Sequence, residues 1–291
     1  LVTILRTASA ALALSLCALG TAPALAQDSA DPSTIRNTDD GGDFAMVGLG
    51  AAILPDYEGS DDYSVSPIPA AIGRVSGFNF MVAGNRLSVD LIPDNFGPGI
   101  DFQAGPVAAL NLNRASTKGI EDDRIKALGK RKAAIELGGY LGIAKTGVIT
   151  SEFDRVSASV SYRKGVTGAH SSGIFTPTVS YLTPLSTKSV VSVFVSAERA
   201  ERGFARTYFG INPEQSEDSG LPVYNARGGW KNWTLGGVGA VSLSGDLRHG
   251  LQAFGGVVYR RMLNDFADSP VTRIAGDRDQ WLGSLGLAYS F

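Results

Sequence analysis

Residues 281–291 read WLGSLGLAYSF. Side chains of an extended strand alternate between two faces. Trp281, Leu285, Leu287, Tyr289 and Phe291 therefore share one face, with Gly283 between them, while Leu282, Ser284, Gly286, Ala288 and Ser290 share the other. The first face is apolar with an aromatic at each end. The second is small and mostly polar. A strand of a transmembrane barrel needs this pairing: apolar toward lipid, aromatic at the two interfaces, modest toward the lumen. The stretch closes on Phe291, which resembles the aromatic assembly signal read by the outer-membrane machinery on bacterial barrels.

The opposite end of the sequence agrees. Arg6 precedes a largely apolar run, 10–19, which is followed by Ala24-Leu25-Ala26. A charged segment, an apolar segment and a small-x-small site predict a secretory signal peptide over 1–26. Residues 27–43 are polar and aperiodic and predict a flexible periplasmic tail. The barrel is expected over 44–291. Cys17, the single cysteine, lies in the signal, so neither a disulfide nor a cysteine-based site is expected beyond it. Glycine is 36 of 291, well above the usual ~7%. No apolar run after the signal approaches a helical span. A net charge of -2 with near-neutral hydropathy gives no reason for a nucleic-acid partner.

Alternation starts at Phe44, with Ala45, Val47, Leu49, Ala51 and Ile53 on one face. Further strands are predicted over 63–74, 78–82, 86–91, 100–113, 133–144, 152–163, 173–182, 190–198, 232–244, 250–262 and 280–291. The total is about twelve, an even number, as single-chain bacterial barrels require. With the amino terminus in the periplasm, the connections 114–132, 199–231 and 263–279 fall outside. The short ones, 145–151, 183–189 and 245–249, fall inside. Long loops outside and short turns inside is the barrel asymmetry. Pro67, Pro69, Pro106 and Pro177 lie within predicted strands and cannot donate to a ladder.

The inward positions carry Arg74, Asp90, Asp101, Glu136, Arg155, Arg163, Glu198 and Arg260. Two readings are open: a pore lining that selects solutes, or an internal ion-pair network that stiffens the barrel. A barrel of intermediate size is consistent with the network. His170 is placed in an outer loop and His249 in an inner turn, both read as solvent-exposed. A Ser–His pair at His170 would supply half of a hydrolase; no catalytic residue, metal or cofactor is expected. Arg114, Lys118, Arg124, Lys126, Lys130, Arg131 and Lys132 make one outer loop basic, suited to lipopolysaccharide phosphates or simply solvated.

Short signatures recur in order along the chain: Pro55-x-Tyr57-x-Gly59-Ser60, then Tyr208-Phe209-Gly210-Ile211 leading to Ser219-Gly220 and Tyr224. Tyr259-Arg260-Arg261-Met262-Leu263 follows, with Asp265, Ser269-Pro270 and Gly276. This pattern resembles the MltA-interacting protein (MipA)/OmpV family of Gram-negative outer-membrane proteins. The resemblance implies an outer-membrane barrel acting as a scaffold that anchors peptidoglycan-remodelling enzymes, with lipid, lipopolysaccharide and periplasmic murein hydrolases or synthases as partners. A narrow solute channel is the alternative and an outer-membrane enzyme a third, disfavoured reading. Candidate interaction or lumen residues are Tyr57, Tyr208, Tyr224, Glu136, Arg163 and Arg260. The tyrosines suit either a ligand surface or packing of the long loop onto the rim.

Overall fold

The computed structural model describes residues 43–93 and 99–291. The predicted signal and residues 27–42 of the predicted tail lie outside them. Twelve antiparallel strands close into one barrel in chain order. They are β1 Phe44–Pro55, β2 Tyr63–Val75, β3 Phe78–Ala83, β4 Arg86–Asp90, β5 Ile100–Asn111, β6 Ala134–Thr146, β7 Arg155–Thr167, β8 Gly173–Ser186, β9 Ser189–Ala200, β10 Gly229–Ser242, β11 Gly250–Met262 and β12 Asp279–Ser290. Closure pairs β1 with β12, from Met46 opposite Ser290 to Ile53 opposite Gly283. Closure leaves no first or last strand without a neighbour, which is the condition for strands to cross hydrocarbon.

Period-two patterning explains the wall. On β12, Trp281, Leu285, Leu287, Tyr289 and Phe291 are exposed, while Leu282, Ala288 and Ser290 are buried. Tyr63, Tyr162, Phe175, Trp230 and Trp281 crowd the exterior near one end; Phe78, Tyr289 and Phe291 lie near the other. These are the two aromatic girdles of a transmembrane barrel. Trp233, Tyr259 and Trp281 form a continuous run of edge-on and tilted ring contacts, with centroids 5.3 and 5.0 Å apart.

Pro67 and Pro69 fit β2 for a geometric reason. The Pro69 carbonyl accepts from Gly84 at 2.8 Å, so this position faces β3, yet β3 pairs with β2 only from Ala70 onward. Both prolines therefore face a stretch of edge where no ladder donor is needed. Pro177 is accommodated by a break: the β8–β9 ladder runs from Phe175 to Thr178 without it.

The ends differ as the loop lengths predict. The turn end carries the connections after β2, β4, β6, β8 and β10. The loop end carries the long segments 112–133, 201–228 and 263–278, which hold short helices: α1 Asp123–Ala127, α2 Arg202–Phe209, α3 Pro213–Ser219, α4 Asn264–Asp268 and α5 Pro270–Arg273. Their starts are locally encoded. Asn212 accepts from the Gln215 N–H at 2.8 Å while Gln215 reaches back at 3.2 Å, Pro213 opens α3, and Gly220 at φ +72° ends it. The helices were not expected from the strand periodicity.

Several boundaries need correction. β7 begins at Arg155, not at residue 152, because Asp154 folds back into the turn. Its carboxylate accepts from the N–H groups of Val148 at 2.6 Å, Ile149 at 2.9 Å and Thr150, and from the Tyr181 hydroxyl at 3.1 Å. β8 and β9 run further than predicted, to Ser186 and from Ser189, leaving a two-residue turn.

Candidate functional site

All eight predicted inward charges are buried, each at most 8% exposed. They do not form one uniform lining. Near the loop end they join a chain of alternating sign. Arg163 on β7 donates through Nε to Glu136 on β6 at 2.6 Å and through Nη2 to Glu198 on β9 at 2.6 Å. Lys231 on β10 continues it, 2.5 Å from Glu198 and paired also with Glu58 of the β1–β2 loop. Asn111 and Asn232 donate to Glu136 and Glu198 at 2.9 and 3.1 Å. Each charge of this chain thus meets an opposite charge, and Glu136 and Glu198 each meet a neutral amide as well, as burial in low dielectric requires. A separate pair, Asp101–Arg155, lies toward the turn end. Arg260 donates to Thr234 at 3.4 Å.

His170 is a correction. It is buried, not solvent-exposed, and its Nε2 lies 3.1 Å from Glu136 Oε1. The Ser172 N–H donates to Nδ1 at 3.3 Å, so Nε2 carries the proton and donates to the carboxylate. His249 is exposed in its turn as predicted.

Above this chain the loops pack into an apolar cap. Tyr57, Ile125, Phe204, Tyr208, Phe209, Leu221, Met262, Phe266 and Val271 are all nearly inaccessible and belong to one cluster. Phe204 sits 5.2 Å from the His170 ring and 4.8 Å from Tyr208, with the Lys231 ammonium 4.9 Å over its face. Phe209 meets Phe266 edge-on at 5.1 Å. The cap and the ion chain therefore share side chains. Tyr57 and Tyr208 face the cap interior. Tyr57 donates to the Ala275 carbonyl, and burial pushes both phenols above their usual range. Tyr224 is half-buried and donates to the Asp265 carbonyl at 3.0 Å. The three tyrosines thus tie loops together.

The basic loop is only partly free. Arg114 is buried and donates to the Tyr208 carbonyl at 2.8 Å, and Arg131 donates to Thr207 at 2.9 Å. Arg124 and Lys126 pair with Asp122 and Asp123. Sequence reasoning missed Glu58, Lys231 and the Asn partners. Lys231 was legible: it alternates with the outward Trp230, so it points inward as soon as β10 is extended by a few residues. No group of three or more metal-ligating side chains occurs among the described residues.

Among solved structures, the chain is similar to an anion-selective porin from Comamonas acidovorans (9% identity, 86% of this chain and 99% of that chain, TM-score 0.41). It is also similar to the outer membrane channel DcaP of Acinetobacter baumannii (9%, 86% and 96%, 0.38). A third is the Pseudomonas putida toluene transporter TodX (10%, 90% and 92%, 0.37). No curated protein matches it. A family model described as MltA-interacting protein MipA matches residues 47–291.

Proposed function

The chain belongs to the MltA-interacting protein MipA family, and on that premise we propose that it is an outer-membrane anchor that holds a murein enzyme of the MltA kind at the periplasmic face. In this reading the turn end is periplasmic and the loop end extracellular, following the usual length asymmetry. The observation that carries the choice of a scaffold over a pore is the filled loop end. Among the described residues, eighteen from the loops and the adjoining strand ends pack into one buried cluster over the Glu136–Arg163–Glu198–Lys231 chain. A passive channel needs a hydrated path there. The turn end, by contrast, exposes apolar side chains at Val148, Ile149, Phe153 and Leu185, which suits contact with a partner. Phe291, exposed beside Tyr289 at a ring distance of 5.0 Å, takes the part of the assembly signal.

A photoreactive residue at Ile149 or Leu185, activated in intact cells, is expected to capture a murein enzyme. An abundant, folded barrel that captures none would overturn the scaffold. The polar lumen favours a channel as the second reading. Purified protein in a planar bilayer is expected to give no steady conductance, and ohmic steps would replace the scaffold with the channel.

A further inference from the structure

The outer wall of β5 to β8 carries an apolar groove of about 550 Å³. Its rim is Phe102, Leu141, Ile143 and Val160, all outward and 41–64% exposed; its floor is Ala158 and Gly142. Small side chains between large ones make the depression: Ala158 lies opposite Ile143 on one side and Val179 on the other. One outward position nearer the turn end, about 7 Å along β6 from Ile143, stands Lys145, exposed and flanked by Ile100 and Val156. The outward faces of these four strands carry one other charged residue, Lys164, at the opposite end.

An isolated cation on a lipid-facing wall extends its ammonium to the interface while its stem lies on apolar surface. Its place is then at headgroup level, directly below the groove. We propose that this wall is a binding site for one anionic glycerophospholipid, with an acyl chain in the groove and the phosphate held by Lys145 through a charge-assisted hydrogen bond. The site rests on the reading of the turn end as periplasmic, the side where the leaflet is phospholipid.

The test is native mass spectrometry of the full chain in mild detergent with added phosphatidylglycerol or phosphatidylcholine. The wild type is expected to retain one phosphatidylglycerol in preference to phosphatidylcholine. Ala158→Trp, which fills the groove, is expected to lower that retention at least tenfold, while Leu285→Trp on β12, across the barrel, leaves it unchanged. Lys145→Ala is expected to equalise the two lipids. Retention by Ala158→Trp equal to wild type, a preference surviving in Lys145→Ala, or paired protein copies in place of bound lipid would each overturn the site. Heat-shifted migration in SDS, read on the same samples, reports the barrel independently of the lipid.

Discussion

Arg163 and Glu136 meet at 2.6 Å between neighbouring strands, and the same guanidinium holds Glu198 at 2.6 Å on the strand beyond its other neighbour. One side chain thereby bridges two buried carboxylates on β6 and β9. Arg163→Met leaves Glu136 without its ion partner, a loss of about 3–5 kcal/mol for breaking a buried pair. The expected result is a clearly lower urea midpoint for the refolded barrel, partly restored by adding Glu136→Gln. Arg261→Ala removes a partly exposed pair with Asp279 and is expected to cost no more than about 1 kcal/mol. Equal midpoints for the two single variants would contradict a special role for the lumen chain.

The cap should be separable from the wall. Phe204→Ala deletes a ring that touches His170, Tyr208 and Lys231 together. A buried Phe→Ala change costs about 3–5 kcal/mol, and here the cost falls on the loops. Trypsin added outside intact cells is expected to cut the variant in the cap, at Arg202, Arg206 or Arg227, much faster than wild type. The heat-shifted gel migration should stay. Parallel loss of the gel shift would show that the cap holds the barrel itself.

Asp154 makes the β6–β7 turn acid-sensitive. Burial alone would raise its carboxyl, but the hydrogen bonds from Thr150, Val148 and Ile149 outweigh it and hold the group below the usual carboxylate range. A depressed carboxylate contributes stability above its unfolded value of ~3.9 that is lost as pH falls below it. Amide exchange of Val148 and Ile149 should be slow and flat from neutral pH down to about 4 and should accelerate, after correction for intrinsic rates, at lower pH. In Asp154→Asn the protection should be weak throughout and lack that acid step. A wild-type step near neutral pH would be inconsistent with Asp154 as the cause.

Two glycines of the wall should respond oppositely to a methyl group. A Cβ on Gly138 would meet the Tyr162 carbonyl oxygen at 1.8 Å and the Arg163 Cα at 2.6 Å, both backbone. Gly283 has nothing within 4 Å of the same position. Gly138→Ala is expected to lower the folded yield several-fold in a refolding assay. Gly283→Ala should refold like wild type or slightly better, because it restricts the unfolded chain. Similar yields would mean that β6 and β7 can move apart at no great cost.

Strand existence and facing were legible because they depend on neighbours two residues away. All twelve predicted segments correspond to strands, and Arg74 through Arg260 point inward as the alternation requires. The turn at Asp154 was not legible, since a strand-like run of alternating residues follows it and the acceptor's donors precede it by several positions. The cap was still further out of reach. Its helices are short, and its bonds join Tyr57 to Ala275 and Ser269 to Phe209, residues separated by long stretches of chain.

Local alternation and composition by themselves determined a lipid-facing barrel with a charged interior and longer loops at one end, because hydrocarbon outside and side-chain period two impose that pattern residue by residue. Which charges meet, that His170 is enclosed against Glu136, and that apolar side chains from several loops cluster at the loop end were decided only by the closed tertiary structure. Those contacts depend on strand register and on apolar loops converging from four connections, and neither leaves a periodic trace along the chain.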